Sequence, residues 1–293
     1  MKVIVTGSLG HVGKPLVKEL IQKGHAVSVI SSKPEKQQDI EASGATAAIG
    51  SLEDLGFLTA AFAGADAVFA MVPPNFGKSD NIAYYREIAG NYVKAIQQAG
   101  VKRVVHLSSY GADLDKGTGM ILGSHHAEKI LDGLPGVSIT HLRPTYFYNN
   151  LYSFSGMIKG AGFIGANYGG DDMILLTHPT DIADVAAEEL TAGSGEKVRY
   201  IASDERTATD IARTLGTAIG KPDLKWLILL NEQVQKGLEQ NGVPAPIVPN
   251  LIDMGEATHN GTLRQDFDRH RPEHMGKIKL EDFAKDFAAV FSK

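Results

Sequence analysis

No cysteine occurs in the 293 residues, which excludes disulfides, thiolate nucleophiles and cysteine-ligated zinc. No apolar stretch approaches the ~20 residues a membrane span needs. Lysines and arginines form no run, and with a formal net charge of −5 the chain carries no electrostatic footprint for nucleic acid. A Gly-x-Ser-x-Gly elbow, a Gly-x-x-x-x-Gly-Lys-[Ser/Thr] loop and a His-Glu-x-x-His helix are all missing. His270 and His274 flank Pro272 in His270-Arg271-Pro272-Glu273-His274, where proline breaks the helical alignment a zinc pair needs, so no metal is expected. The first expected strand starts at about residue 3, which leaves no room for a secretory leader. These exclusions leave a cytoplasmic monomer or homodimer whose partner is a small molecule, not nucleic acid or membrane.

What is present is a 43% hydrophobic composition, ample for a buried core, and an informative N-terminus. Val3-Ile4-Val5 reads as a strand running into Thr6-Gly7-Ser8-Leu9-Gly10-His11-Val12-Gly13, followed by a helix from Lys14 with Pro15 in its first turn. A glycine turn between strand and helix cradles a pyrophosphate, because unpaired amides and the helix dipole favour an anion there. Gly7 permits the tight turn, Gly10 removes a Cβ that would meet the pyrophosphate, and Gly13 allows close packing.

Beyond the turn, strand candidates His25–Ile30, Ala45–Ile49, Ala67–Val72, Arg103–Ser108 and Val137–Leu142 alternate with helical stretches. That alternation predicts an α/β fold, a Rossmann-type doubly wound parallel sheet with a smaller C-terminal substrate lobe. Residues 1–150 plus 176–203 are expected to form the NAD(P)-binding domain, and 151–175 plus 204–293 the smaller lobe. Ligands in such sheets lie at the carboxyl ends of the strands. The turn, Ser31 to Lys33, Val72 to Phe76 with Pro73, Ser108 and Ser109 to Gly111, and Pro144-Thr145-Tyr146-Phe147 to Tyr148 are therefore expected around one crevice.

At the end of the second strand an acid that would bind ribose hydroxyls is replaced by Ser31-Ser32-Lys33. Two hydroxyls and an ammonium suit a 2′-phosphate, so NADP(H) is preferred to NAD(H). Ser51 and Leu52 border the adenine in this reading, and Ser51 is also a candidate N-cap for the next helix.

Four motifs together resemble the NmrA-like family of atypical short-chain dehydrogenases/reductases. They are the glycine turn, Gly50-Ser51-Leu52-Glu53-Asp54 leading to Ala61–Phe69, Leu142-Arg143-Pro144-Thr145-Tyr146-Phe147-Tyr148-Asn149-Asn150, and His178-Pro179-Thr180-Asp181-Ile182-Ala183. The resemblance implies a Rossmann domain with a small substrate lobe, NAD(P) binding, and quinone reductases, dye reductases and non-catalytic regulators among the relatives. Many relatives carry arginine where Ser31-Ser32-Lys33 stands, and the role of that arginine then falls to Lys33.

Short-chain reductases place Tyr-x-x-x-Lys on a helix, the phenol giving a proton to the reduced carbonyl. Here that helix reads Gly123-Ser124-His125-His126-Ala127-Glu128-Lys129, which offers His125 and Lys129 one turn apart or, in the alternative register, Ser124 and Glu128. Tyr110, beside the expected nicotinamide position, either donates a proton or shapes the pocket. The leading reading is an NADPH-dependent oxidoreductase passing hydride to a small planar acceptor such as a quinone or conjugated carbonyl or dye. Its alternatives are a non-catalytic NADP(H) redox sensor and a sugar-nucleotide epimerase, the latter disfavoured by the missing tyrosine–lysine pair. Glycines and aromatics between Leu151 and Gly170 suggest a mobile lid over the acceptor.

Overall fold

The computed structural model describes residues 1–75, 77–192 and 195–292; Phe76, expected in the crevice, lies outside them. The first half alternates β1 (Lys2–Val5), α1 (Gly13–Gln22), β2 (Ala26–Ser31), α2 (Gln37–Ala42), β3 (Thr46–Ile49), α3 (Leu55–Phe62), β4 (Ala67–Met71), α4 (Asn81–Ala99), β5 (Arg103–Leu107), α5 (Leu122–Leu131) and β6 (Ser138–Pro144). There follow β7 (Tyr146–Phe147), α6 (Ser155–Ala161), β8 (Ile164–Ala166), β9 (Met173–Thr177), α7 (Pro179–Thr191), β10 (Val198–Ile201) and β11 (Asp204–Thr207). The chain ends with α8 (Ala208–Ala218), β12 (Trp226–Ile228), α9 (Asn231–Gln240), α10 (Val248–His259), α11 (Gln265–Arg269) and α12 (Leu280–Phe291). No helix among the described residues is long and apolar enough to cross a membrane.

Seven strands form a wholly parallel sheet in the order β3-β2-β1-β4-β5-β6-β10. The side-chain period of two divides each strand between two cores. Val3, Val5, Val29 and Phe69 meet α1 and α7 through Leu16, Val17, Ile182 and Leu190. Ile4, Ile30, Val68 and Val104 meet α3, α4 and α5 through Phe62, Ile88, Tyr92 and Leu131. Helix starts follow capping chemistry: Asp54 accepts from the Phe57 amide at 3.0 Å and Asp80 from the Ala83 amide at 2.8 Å. Ser51 is thus not the cap of α3; its hydroxyl instead accepts from the Glu53 amide at 3.1 Å, one turn too early.

After Pro144 the chain leaves the main sheet and enters a second, three-stranded one, in which β9 pairs antiparallel with β11 and parallel with β7. β8 and β12 form a separate parallel pair. A core of Tyr148, Leu151, Ile158, Leu176, Ile211, Leu215, Trp226, Phe283 and Phe287 joins these pieces to α8 and α12, while α7 and β10 return to the main sheet. Thr145 marks the junction: its amide donates to Ile201 O at 3.0 Å, and Thr177 Oγ1 donates to the same carbonyl at 2.7 Å. Within the stretch from Leu151 to Gly170, two glycines are tightly packed, while Gly156, Gly160 and Gly162 have open space around them. A Cβ on Gly165 would come within 2.7 Å of Leu229, and one on Gly169 within 2.5 Å of the Trp226 ring, so these glycines serve close packing instead of motion.

Candidate cofactor site

The turn after β1 begins with two successive left-handed residues, Gly7 at φ +89° and Ser8 at φ +62°. A non-glycine residue held there costs of order 1 kcal/mol, and the conformation turns the following amides outward. Those of Leu9, Gly10, His11, Val12 and Gly13 make no hydrogen bond of ordinary geometry among the described residues. Val12 provides no side-chain cap for α1. The glycines divide their labour. A Cβ on Gly13 would lie 2.2 Å from the Ser8 carbonyl oxygen, so the first turn of α1 packs on the preceding loop; a Cβ on Gly10 would meet protein only at an ordinary 3.6 Å, so its bareness serves what lies outside. Unpaired amides, an uncapped helix start and an exposed glycine fit a dinucleotide pyrophosphate.

Thr6 belongs to the scaffold of this turn. It is 1% exposed, its hydroxyl accepts from the Met71 amide at 2.9 Å, and Tyr92 of α4 reaches it at 3.1 Å while donating to Met71 O. Its side chain is therefore consumed within the fold and not offered to a ligand. Toward the adenosine end, Ser31 is buried and its Oγ accepts from the Lys33 amide at 3.2 Å, while the side chains of Ser32 and Lys33 are exposed. Gly50 follows β3, bonded through its amide to Ser31 O at 3.0 Å, and Asn91 holds Leu52 O at 3.1 Å. Ser51 and Leu52 thereby stand beside Ser31 to Lys33, with no carboxylate at the end of β2. Val72 is buried at the end of β4, and Pro73 follows it half-buried.

At the ends of β5 and β6 the side chains satisfy one another. Ser108 Oγ donates to Glu128 Oε1 at 2.5 Å, and Arg143 grips the same carboxylate with Nε at 3.0 Å and Nη2 at 2.7 Å. Arg143 Nη1 continues to the Tyr200 hydroxyl at 3.0 Å and Asp266 Oδ2 at 3.3 Å. Burial alone would raise the Glu128 carboxyl, but Arg143, assisted by His141 and Ser108, holds it below the ordinary carboxylate value. Glu128 is thus an ionised acceptor, which commits the Ser108 proton to it. Arg143, Tyr200 and Asp266 also line a cleft of about 1030 Å³, which lies at the β10 edge and away from the glycine turn. Ser109 is half-buried, and its hydroxyl donates to Tyr110 O at 3.0 Å.

Of the two helical registers, the structure turns Ser124 and Glu128 toward the sheet. His125 is also buried, its Nδ1 2.9 Å from Ala112 O, whereas Lys129 is exposed. The structure does not bring His125 and Lys129 together. Tyr110 is 7% exposed and packs with Leu263 and Phe267 near the C-terminus, where burial pushes its phenol well above the ordinary value. Tyr110 is thereby enclosed among apolar side chains. Pro144 and Thr145 are buried at the sheet junction, while Tyr146 and Phe147 are half-buried, with the Tyr168 hydroxyl donating to that of Tyr146 at 3.4 Å. Asn149, quoted in the sequence only within the Leu142–Asn150 motif and not as a site residue, reaches across the crevice: its Nδ2 lies 3.3 Å from His11 Nδ1.

Comparison with known proteins agrees with this geometry. A (4-alkanoyl-5-oxo-2,5-dihydrofuran-3-yl)methyl phosphate reductase of Streptomyces griseus is 27% identical over 88% of each chain. An NAD(P)H azoreductase of Xenophilus azovorans is 24% identical over 86% of this chain and 85% of its own. Among solved structures, the NADPH-dependent quinone oxidoreductase of Escherichia coli, complexed with NADPH, superposes with a TM-score of 0.82 at 22% identity, over 97% of this chain and 99% of that one. The NAD(P)H-binding family model matches residues 7–193, from the glycine turn through α7. With its Rossmann-type sheet and NmrA-like motifs in order, the chain belongs to the NAD(P)H-binding family, as an atypical short-chain dehydrogenase/reductase of the NmrA-like kind.

Proposed function

We propose that the protein is an NADPH-dependent oxidoreductase that passes hydride to a small planar acceptor such as a quinone or a conjugated carbonyl or dye. The observation that carries the reading is the row of unpaired amides from Leu9 to Gly13 at the start of α1. The reductases among its relatives support it. In this reading residues 1–150 and 176–203 bind the cofactor, with Lys33 and Ser32 at the 2′-phosphate, and residues 151–175 and 204–293 cover the acceptor. Bound NADPH supplies the hydride; the chain supplies position and exclusion of water. Ser108 cannot give its proton to an acceptor while Glu128 holds it, and Tyr110 is enclosed in a core. Acceptors whose reduced form takes a proton from water suit such a site better than simple ketones.

The committed state of Ser108 also favours one rival, a redox sensor that binds NADP(H) without turnover. Both make the same first prediction: calorimetry finds NADPH bound more tightly than NADH, and Lys33→Ala reduces that preference about tenfold by removing one charge-assisted phosphate contact. Equal affinities, or an indifferent Lys33→Ala, would sink the assignment of Lys33. NADPH oxidation in the presence of a quinone or azo dye separates the two readings, since the sensor binds and does not turn over.

A further inference from the structure

We propose that Tyr146 donates a hydrogen bond to the reducible carbonyl oxygen of the acceptor, with Tyr168 fixing the direction in which its proton points. The inference rests on the NADPH-dependent reductase reading above and adds the group that holds the acceptor. Tyr146 opens β7, two residues beyond the end of β6, in register with Leu176 of β9. Ligands of such sheets lie at these carboxyl ends. The strand order separates this end from the 2′-phosphate: Ser31 to Lys33 follow β2 on one side of β1, and Tyr146 follows β6 on the other, beyond β4 and β5. Tyr146 therefore adjoins the half of the crevice in which hydride would be passed.

The count of protons is what points to a ligand. The hydroxyls of Tyr146 and Tyr168 lie 3.4 Å apart and make no other hydrogen bond among the described residues. One contact consumes one proton, so the two phenols have one left over. Tyr168 is held from behind: its ring packs on that of Trp226 at 5.5 Å, and its carbonyl accepts from Trp226 Nε1 at 2.9 Å. With Tyr168 donating, Tyr146 accepts and keeps its own proton for a partner outside the pair. Both residues are only half-buried, so such a partner can come within reach. Burial lifts the Tyr168 phenol to about 12 and that of Tyr146 well above its ordinary value, so both stay protonated. Hydride adding to the acceptor leaves its two electrons as negative charge on the carbonyl oxygen; the phenol steadies that charge until a proton from water completes the reduced product.

The test compares two acceptors with the full chain. Menadione is a quinone whose oxygen turns anionic as hydride arrives, whereas crystal violet is a triphenylmethane cation whose central carbon takes hydride and becomes neutral. Tyr146→Phe is expected to lower kcat for menadione about a hundredfold, to leave crystal violet within about twofold, and to leave calorimetric NADPH affinity unchanged. Tyr168→Phe should slow the quinone less, and the double variant should be no slower than Tyr146→Phe, since the second hydroxyl acts through the first. Equal losses with both acceptors, a menadione kcat equal to that of the parent chain, or weakened NADPH binding in Tyr146→Phe overturns the proposal and leaves the reductase reading standing. NADPH binding without reduction of any quinone by the parent chain overturns that reading and the proposal together.

Discussion

At the β1–α1 turn the amides of Leu9 to Gly13 have no hydrogen-bond partner of ordinary geometry among the described residues, whereas at the ends of β5 and β6 Ser108, Glu128, Arg143, Tyr200 and Asp266 form a closed chain of hydrogen bonds. The first region offers main chain, bared at Gly10 and Gly13 and held from behind by Thr6 and Tyr92. The second is made of side chains and depends on every member. One offers donors outward; the other has spent its polar groups inside the fold. In the proposed reading cofactor capture and acceptor chemistry are separable, because Ser108 and Glu128 tie α5 to the sheet and, through Arg143, to α11.

The largest expected effect breaks the side-chain region. Glu128→Ala leaves Arg143 buried without its bidentate partner, and removing one member of such a pair costs about 3–5 kcal/mol. A denaturant midpoint equal to that of the parent chain would mean that the network is not what holds α5. Next comes the main-chain region. Gly13→Ala places a Cβ against the Ser8 carbonyl and costs about 1–3 kcal/mol by overpacking, and NADPH affinity should fall far more than stability. If fluorescence titration showed undiminished binding, the turn would not be the pyrophosphate site.

The smallest effect sharpens the contrast through pH. His106 is 1% exposed, its Nδ1 3.0 Å from that of His141, and burial, aided by His141, depresses its pKa from 6.5 to about 3. Between those values the unfolded chain takes up a proton that the folded one refuses. Stability is therefore complete above the unfolded value and falls by about 1.4 kcal/mol per pH unit as acid is added. Urea midpoints at pH 7 and 5 should show this slope, and His106→Leu should flatten it. A slope that persists in the variant assigns the acid sensitivity to another group.

Legibility of the fold in the sequence followed the range of the forces involved. Strands β1 to β6 were readable because apolar spacing is local, and the glycine turn because its geometry demands bare Cα atoms. β8 and β12, each three residues long, left no periodic trace. Capping was readable in kind but not in position, since both Ser51 and Asp54 precede α3. His125 and Lys129 illustrate a sharper limit. Residues four apart on a helix differ by about 40° in direction, and at the margin of a buried face that angle separates an enclosed side chain from a solvated one. Partners such as Thr6 with Tyr92, 86 positions apart, or Arg143 with Asp266, 123 apart, exist only once the sheet has assembled. The site was thus legible where main chain makes it and opaque where distant side chains do.

Thr145 and Thr177 converge on one carbonyl, that of Ile201, at the seam between the two sheets. Their own hydroxyls lie 2.5 Å apart, so the seam is knotted across as well as along. A joint tied three ways has no play: rotating one sheet against the other would strip buried hydrogen bonds with no water at hand to replace them. The seam therefore resists any sliding of one sheet on the other, which would have to break all three bonds together.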